Sequence, residues 1–237
     1  MSNYNRLEMA NALVDMARVH THNGNWPSPT KFLAGGVNGK VFETNNGKLV
    51  KIIYGKAPQE FTSLHKLQGT GLVPGFNKSH SAVIPLDDEL SQVIGETLFP
   101  EAPKRSKHLT IFIMNKVGGN SSMTLHKYMT TYTHMYDSSQ ITDLIKRALQ
   151  TLHSKGISHG DLHAGNIIVT VRPSDGRIDS LWIIDFGRSR RIQPGKTERN
   201  MISKRPPETM YGNIPLRRYS TGYHRANTDM ARMYYGV

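Results

Sequence analysis

The sequence predicts an α+β chain in two parts, an antiparallel sheet carrying one helix followed by a second half that begins helical. Three observations carry this. Residues 32–53 hold two apolar-rich stretches around Asn45-Asn46-Gly47-Lys48, a hairpin turn signal. Ile141, Leu144, Ile145, Ala148, Leu149 and Leu152 recur at helical spacing and form one apolar face. The chain has 237 residues, 37% of them hydrophobic, which suits one large domain or two small lobes.

Taken in order, residues 7–20 place Met9, Leu13, Met16 and Ala17 at helical spacing, and the Asn, Gly and Pro of residues 23–29 break that helix. A glycine-bearing strand region spans 32–42, and the return strand spans 49–53. Pro58 opens a short helix with Phe61, Leu64 and Leu67 inward, and Gly69 ends it. Strands are expected around 82–85 and 109–114. Ser138 or Ser139 caps the later amphipathic helix, and Gly156 stops it. Residues 157–166 read as a loop, then strands at 167–169 and 181–184 flank the turn Pro173-Ser174-Asp175-Gly176.

Composition removes several classes. With no cysteine, disulfides, thiolate nucleophiles and Cys-type zinc sites are excluded, and a reducing compartment fits. Apolar runs such as Ile111-Phe112-Ile113-Met114 fall far short of the ~20 residues a membrane span needs, so a soluble protein is expected. The formal charge is +12, and the stretch 188–237 alone holds eleven Lys/Arg against three acids. A basic tail of this kind attracts acidic or phosphorylated partners or nucleic acid, or is simply a solvated surface.

The strongest local signal is His159-Gly160-Asp161-Leu162-His163-Ala164-Gly165-Asn166, with Asp185-Phe186-Gly187 nineteen residues beyond. Phosphoryl transfer needs a carboxylate to orient the acceptor hydroxyl and oxygen ligands to hold magnesium against phosphates. Asp161 stands at the base position, and Asn166 and Asp185 supply the metal donors.

This order and spacing resembles the protein-kinase-like superfamily, over roughly residues 32–187. The resemblance implies a two-lobed fold, with a small antiparallel sheet lobe and a truncated helical lobe. Residues 1–30 would form a helical extension, 31–118 the nucleotide-binding lobe and 119–237 a reduced second lobe. It implies ATP and Mg2+ as cofactors and a protein substrate. Ala34, Gly36, Gly39 and Val41 are similar to a kinase glycine-rich loop with its first glycine replaced; a plain hairpin is the other use of those glycines. Lys51, on the following strand, would contact the ATP phosphates, and Glu60 would hold it by an ion pair. Glu60 is the only acid between Lys51 and Asp87, so it has no competitor. Met114, Asn115 and Val117 fall in the strand-to-hinge passage where adenine docks, unless a core strand simply runs there into a loop. Residues 39–51 and 182–190 resemble serine/threonine kinases of large DNA viruses infecting algae, which would place the protein in host cytoplasm or virion.

Three departures stand out. Gly160 replaces the arginine that many regulated kinases use to bind an activation-loop phosphate, so constitutive activity or control by a partner is expected. His163 replaces the usual lysine, as in aminoglycoside and choline kinases, and can donate a hydrogen bond at the transferring phosphoryl group. Only fifty residues follow Gly187. Among them Pro206-Pro207-Glu208 is similar to the end of a kinase activation segment. Tyr211, Tyr219, Tyr223, Tyr234 and Tyr235 interleave there with arginines, able to stack on bases or to pack the lobe. The leading reading is a Ser/Thr protein kinase with Asp161, Lys51 and His163 in catalytic roles. A small-molecule kinase of the aminoglycoside or choline type and a basic, nucleic-acid-binding pseudokinase stay open as alternatives.

Overall fold

The computed structural model describes residues 3–102, 104–132 and 138–192. Pro206-Pro207-Glu208, the five tyrosines and most of the basic tail therefore lie outside the described residues. The chain's contacts divide it into two compact units, Met1–Pro58 with Gly75–Lys116, and Gln59–Pro74 with Val117–Val237. Among the described residues no helix is long and apolar enough to cross a membrane.

The first unit is built on a five-stranded antiparallel sheet in the order β1-β2-β3-β5-β4, from β1 (Pro29–Gly35), β2 (Gly39–Thr44), β3 (Leu49–Tyr54), β4 (Phe76–Pro85) and β5 (His108–Met114). The β2–β3 turn is the expected one. Gly47 takes φ +76, and the Asn46 side chain accepts from Thr44 Oγ1 and from the Lys48 N–H. Strand alternation sends Phe42, Val50, Ile52, Tyr54, Ala82, Ile84, Leu109, Ile111 and Ile113 into one core. Two helices supply the other half of that core. Helix α1 (Asn3–Thr21) contributes Ala10, Leu13, Val14 and Ala17, and α3 (Asp88–Leu98) contributes Ile94 and Leu98.

Helix α3 corrects the expectation of one helix on the sheet. Asp87 caps it, accepting from the Leu90 N–H at 2.7 Å, and Ile94 and Leu98 sit one turn apart on its buried face. Leu90, Ile94 and Leu98 recur one turn apart, a helical period present in the sequence that the reading of the first half passed over; Ser91, beside them, adds no apolar surface. Ser91 is instead the anchor for the buried Tyr54 hydroxyl, which donates to the Ser91 carbonyl at 2.8 Å. The Tyr54 ring stacks on Phe99 just beyond α3, centroids 5.2 Å apart.

The second unit carries α2 (Pro58–Leu67), α4 (Leu125–Thr131) and α5 (Ser138–Ser154). It also holds a three-stranded sheet β6-β8-β9, from Ser122–Thr124, Ile167–Val171 and Ile178–Ile183, and a two-stranded ribbon of β7 (Ile157–Ser158) with β10 (Arg190–Arg191). Helix α5 buries Ile141, Ile145, Ala148, Leu149 and Leu152, the face its spacing predicted. Helix α4 was not foreseen; Thr124 caps it, and the Tyr128 hydroxyl donates to the Gly176 carbonyl at 2.9 Å. Helix α2 starts and ends where Pro58 and Gly69 indicated, but its inward face differs. Glu60 and Ser63 are buried beside Leu64 and Leu67, whereas Phe61 is only half-buried. Polar groups on the buried face of a short helix require partners, and those partners matter below.

Candidate active site

In the second unit, the loop between β7 and β8 is tied to the end of β9 by a closed ring of four hydrogen bonds. The Asp161 N–H donates to His159 Nδ1 (3.3 Å), and His159 Nε2 donates to the Ile184 carbonyl (2.9 Å). The Ile184 N–H then donates to the Asn166 carbonyl (3.0 Å), and Asn166 Nδ2 returns to the Asp161 carbonyl (2.9 Å). Asp161, Asn166 and the backbone immediately before Asp185 are thus held in one rigid frame. At Asp161 the ring uses only backbone atoms, so its carboxylate is spared for other work. Its Oδ1 is buried and receives no hydrogen bond among the described residues. The Arg188 guanidinium stands 3.5 Å from it, an ion pair rather than a hydrogen bond, with Arg188 itself mostly exposed.

Asp185 adopts a left-handed backbone, φ 65 and ψ 68. Such a conformation costs a non-glycine residue about 1–3 kcal/mol and is easiest for Asp and Asn. The surrounding packing holds it there. Phe186 is fully buried with its ring 4.8 Å from that of His159, and the Ser189 N–H closes the turn onto the Phe186 carbonyl. Glu60 belongs to the same setting. A Cβ placed on Gly187 would lie 3.5 Å from Asp185 Oδ1 and 3.9 Å from Glu60 Oε2, so both carboxylates flank this glycine.

Gly160 explains one of the departures. It has φ +79, and a Cβ there would run into the carbonyl of Arg188, at 3.0 Å from the carbonyl carbon and closer still to the oxygen. No side chain fits at 160 while the segment after Gly187 lies against it. Glycine is therefore required by the packing, and Arg188 approaches Asp161 from the other side of the same contact.

In the first unit, strand register places Val41 opposite Lys51 and Lys51 opposite Phe112, so these three form one row across β2, β3 and β5. Gly39 is two residues along from Val41 on the same face, and its would-be Cβ lies 3.5 Å from Lys51 Cε. Lys51 is buried at 8% exposure. The Gly36 N–H donates to the Gly39 carbonyl (2.9 Å), and Lys40 Nζ donates to the Gly36 carbonyl (2.7 Å), which folds the glycine loop on itself. Met114 ends β5, opposite Leu49 and Phe76. The Asn115 N–H is taken by the Gly75 carbonyl at 2.8 Å. The first unit thus gathers Gly36, Gly39, Val41, Lys51, Met114 and Asn115. The second, made of Gln59–Pro74 and the chain from Val117 on, gathers Glu60, Val117, Asp161, His163, Asn166 and Asp185. Arg188, Ser63 and Ser189 were not singled out from the sequence. Serine has no periodic or motif signal of its own, and only tertiary packing reveals these two.

The protein kinase domain family matches residues 78–218 of this chain, more than half its length. The chain belongs to the protein kinase family. It is accordingly a phosphotransferase of the kinase type. The matched stretch contains Met114, Asn115, Val117, Asp161, His163, Asn166 and Asp185, while Gly36, Gly39, Lys51 and Glu60 precede it. Among curated proteins, none matches.

Two histidines set the electrostatics of the loop between β7 and β8 in this kinase. His159 is 1% exposed, and burial pushes its imidazole below the usual range; the bond to the Ile184 carbonyl and the charges of Asp185 and Asp161 pull only partly back. His163 is also lowered, again first by burial, with Asp161 and Asp185 opposing. Its Nδ1 accepts from the Gly165 N–H at 3.0 Å, which puts the proton of the neutral ring on Nε2. Protonating His159 at Nδ1 would remove the acceptor for the Asp161 N–H and open the ring of hydrogen bonds.

Acid should therefore weaken the fold through these residues. Because both folded-state values lie below the unfolded ones, the unfolded chain binds more protons, and stability falls as pH drops below about 6.5. A buried histidine such as His159, held neutral in the fold, contributes a slope of at most about 1.4 kcal/mol per pH unit in that window, and the less buried His163 contributes less. Urea midpoints for the wild type and His159→Gln between pH 8 and pH 5.5 test this. The variant should lose one proton's worth of slope; parallel curves would refute the assignment.

Proposed function

We propose that the protein is an ATP- and magnesium-dependent Ser/Thr protein kinase with Asp161 as its catalytic base. The observation that carries this is the ring of hydrogen bonds fixing Asp161 and Asn166 against the strand end that leads to Asp185, with Asp161 Oδ1 buried and without a hydrogen bond among the described residues. A hydroxyl-bearing acceptor would donate to that oxygen, and Asp161 would take up its proton as the phosphoryl group transfers.

Asn166 and Asp185 would hold magnesium. Their amide and carboxylate oxygens are hard donors, and Asn166 Nδ2 is already committed, which turns its Oδ1 into the head atom for a cation. When bound, the ion supplies charge neutralisation along the phosphates. Lys51 and the loop of Gly36, Gly39 and Val41 would position the nucleotide, with Glu60 orienting Lys51. Met114 would border the adenine. Because the Asn115 N–H already serves Gly75, the hinge donor to the purine is assigned to Val117, and Asn115 keeps only its carbonyl for the base. The Nε2–H of neutral His163 would donate to the moving phosphoryl group.

The resemblance of residues 39–51 and 182–190 to viral serine/threonine kinases supports a Ser/Thr acceptor and a viral origin. The boundaries 1–30, 31–118 and 119–237 remain our division into extension and lobes, with the basic stretch after 188 as a site for an acidic or phosphorylated partner. The test is labelled ATP with a host lysate, and in parallel with aminoglycosides and choline, beside Asp161→Ala. Label in Ser or Thr of proteins, absent with the variant, is the expected result. Label only in the small molecules would replace this reading with the small-molecule kinase, and salt-sensitive DNA retention without turnover would replace it with the pseudokinase.

A further inference from the structure

We infer that Ser63 and Ser189 are positioning residues, a charge-neutral latch that holds α2 in place for nucleotide binding without any phosphorylation. The inference rests on the kinase reading above. Ser63 Oγ and Ser189 Oγ lie 2.7 Å apart although 126 positions separate them, and Ser189 Oγ lies a further 3.4 Å from the Gln59 carbonyl in the first turn of α2. Both side chains are buried, Ser63 at 5% exposure and Ser189 at 2%. Buried hydroxyls with a defined partner resist rotation, because turning the helix would leave both unsatisfied.

The geometry of the helix transmits this restraint. Glu60 lies three residues before Ser63, hence on the same face of α2, and its carboxylate flanks Gly187 together with that of Asp185. Fixing Ser63 to Ser189 therefore fixes the rotation of α2 that keeps Glu60 at the segment following Asp185. Ser189 is itself held by its N–H bond to the Phe186 carbonyl, and the next residues pair with β7, Arg190 opposite Ser158 and Arg191 opposite Ile157. The same tertiary contact that excludes a side chain at Gly160, and with it a phosphate-binding arginine, brings Ser189 to α2. Where a phosphate and an arginine would order the segment in a gated kinase, two hydroxyls do so here.

The experiment measures MgATP affinity of the full-length protein by calorimetry for the wild type, Ser63→Ala, Ser189→Ala, the double variant and Ser189→Thr, with hydrogen exchange of the α2 amides alongside. We expect each alanine variant to weaken MgATP about fivefold, the scale of one buried hydrogen bond. The double variant should be no worse than either single change. Ser189→Thr should retain affinity, exchange should rise in α2 but not in α5, and phosphatase treatment of the wild type should change nothing. Unchanged MgATP affinity in folded Ser63→Ala and Ser189→Ala would overturn the latch and reduce the pair to a structural contact. So would additive losses in the double variant, or loss of wild-type affinity after phosphatase. A wild type that binds no MgATP would instead bring down the kinase reading itself, which separates the two failures.

Discussion

Replacing Asp161 by alanine should lower phosphoryl transfer by about 10²–10⁴-fold while leaving the fold nearly untouched, the range expected when a general base is removed. The variant is clean for a structural reason. The hydrogen-bond ring enters and leaves residue 161 through its backbone N–H and carbonyl, and alanine keeps both. What is lost is the carboxylate alone, including the Oδ1 that accepts no hydrogen bond among the described residues and its ion pair with the exposed Arg188. Ion pairs of that exposure contribute little to stability, so the urea midpoint should move only slightly. MgATP affinity should also persist, because Asp161 is assigned to the acceptor and not to the metal.

Asp185 should behave differently. Alanine there would remove the proposed metal ligand and also carry the left-handed backbone at greater strain than aspartate does. Asparagine tolerates that conformation and is the better probe. Asp185→Asn should abolish transfer and weaken magnesium-dependent nucleotide binding at least tenfold, about the loss that follows even from disturbing a metal's outer shell. Calorimetry with and without magnesium, beside steady-state turnover, separates the two variants. Undiminished turnover in both would refute the roles assigned to them.

The second large effect is expected at Gly160. Gly160→Ala combines a positive φ with a Cβ directed into the Arg188 carbonyl, and it should cost about 2–5 kcal/mol, backbone strain and forced displacement together. Against a typical total stability of about 5–15 kcal/mol, such a loss is easily read in chemical denaturation. Gly160→Arg, which writes in the arginine of regulated kinases, should be at least as damaging, and should not confer dependence on phosphorylation. A Gly160→Ala protein as stable as the wild type would show that the backbone at 160 is not held as described.

Much of this was legible in the residue order, and what escaped has a physical pattern. Asp161, Asn166 and Asp185 stood out by residue type and spacing, and the structure ties the first two to the backbone before the third; α5 stood out because five of its six periodic apolar positions are buried. Helix α3 was legible too, from Asp87 as cap and Leu90, Ile94 and Leu98 one turn apart, and was passed over; only the role of Ser91 as acceptor for Tyr54 needed the tertiary structure. On α2 the spacing of Phe61, Leu64 and Leu67 located the helix correctly but rotated its inner face. The buried positions include Glu60 and Ser63, which hydrophobicity alone assigns to water. Gly160 was visible as a departure, yet its cause was not, because the carbonyl that forbids a side chain comes from a residue 28 positions away.

The sheet of the first unit has its apolar layer completed by the opening segment of the chain. Ala10, Leu13, Val14 and Ala17 of α1 are packed into the same cluster as Val50 and Ile52, the immediate neighbours of Lys51. The first twenty residues are thus a structural wall of the first unit rather than an ornament at its edge. Any shortened version that begins after them would strip the backing from the very strand that presents the lysine.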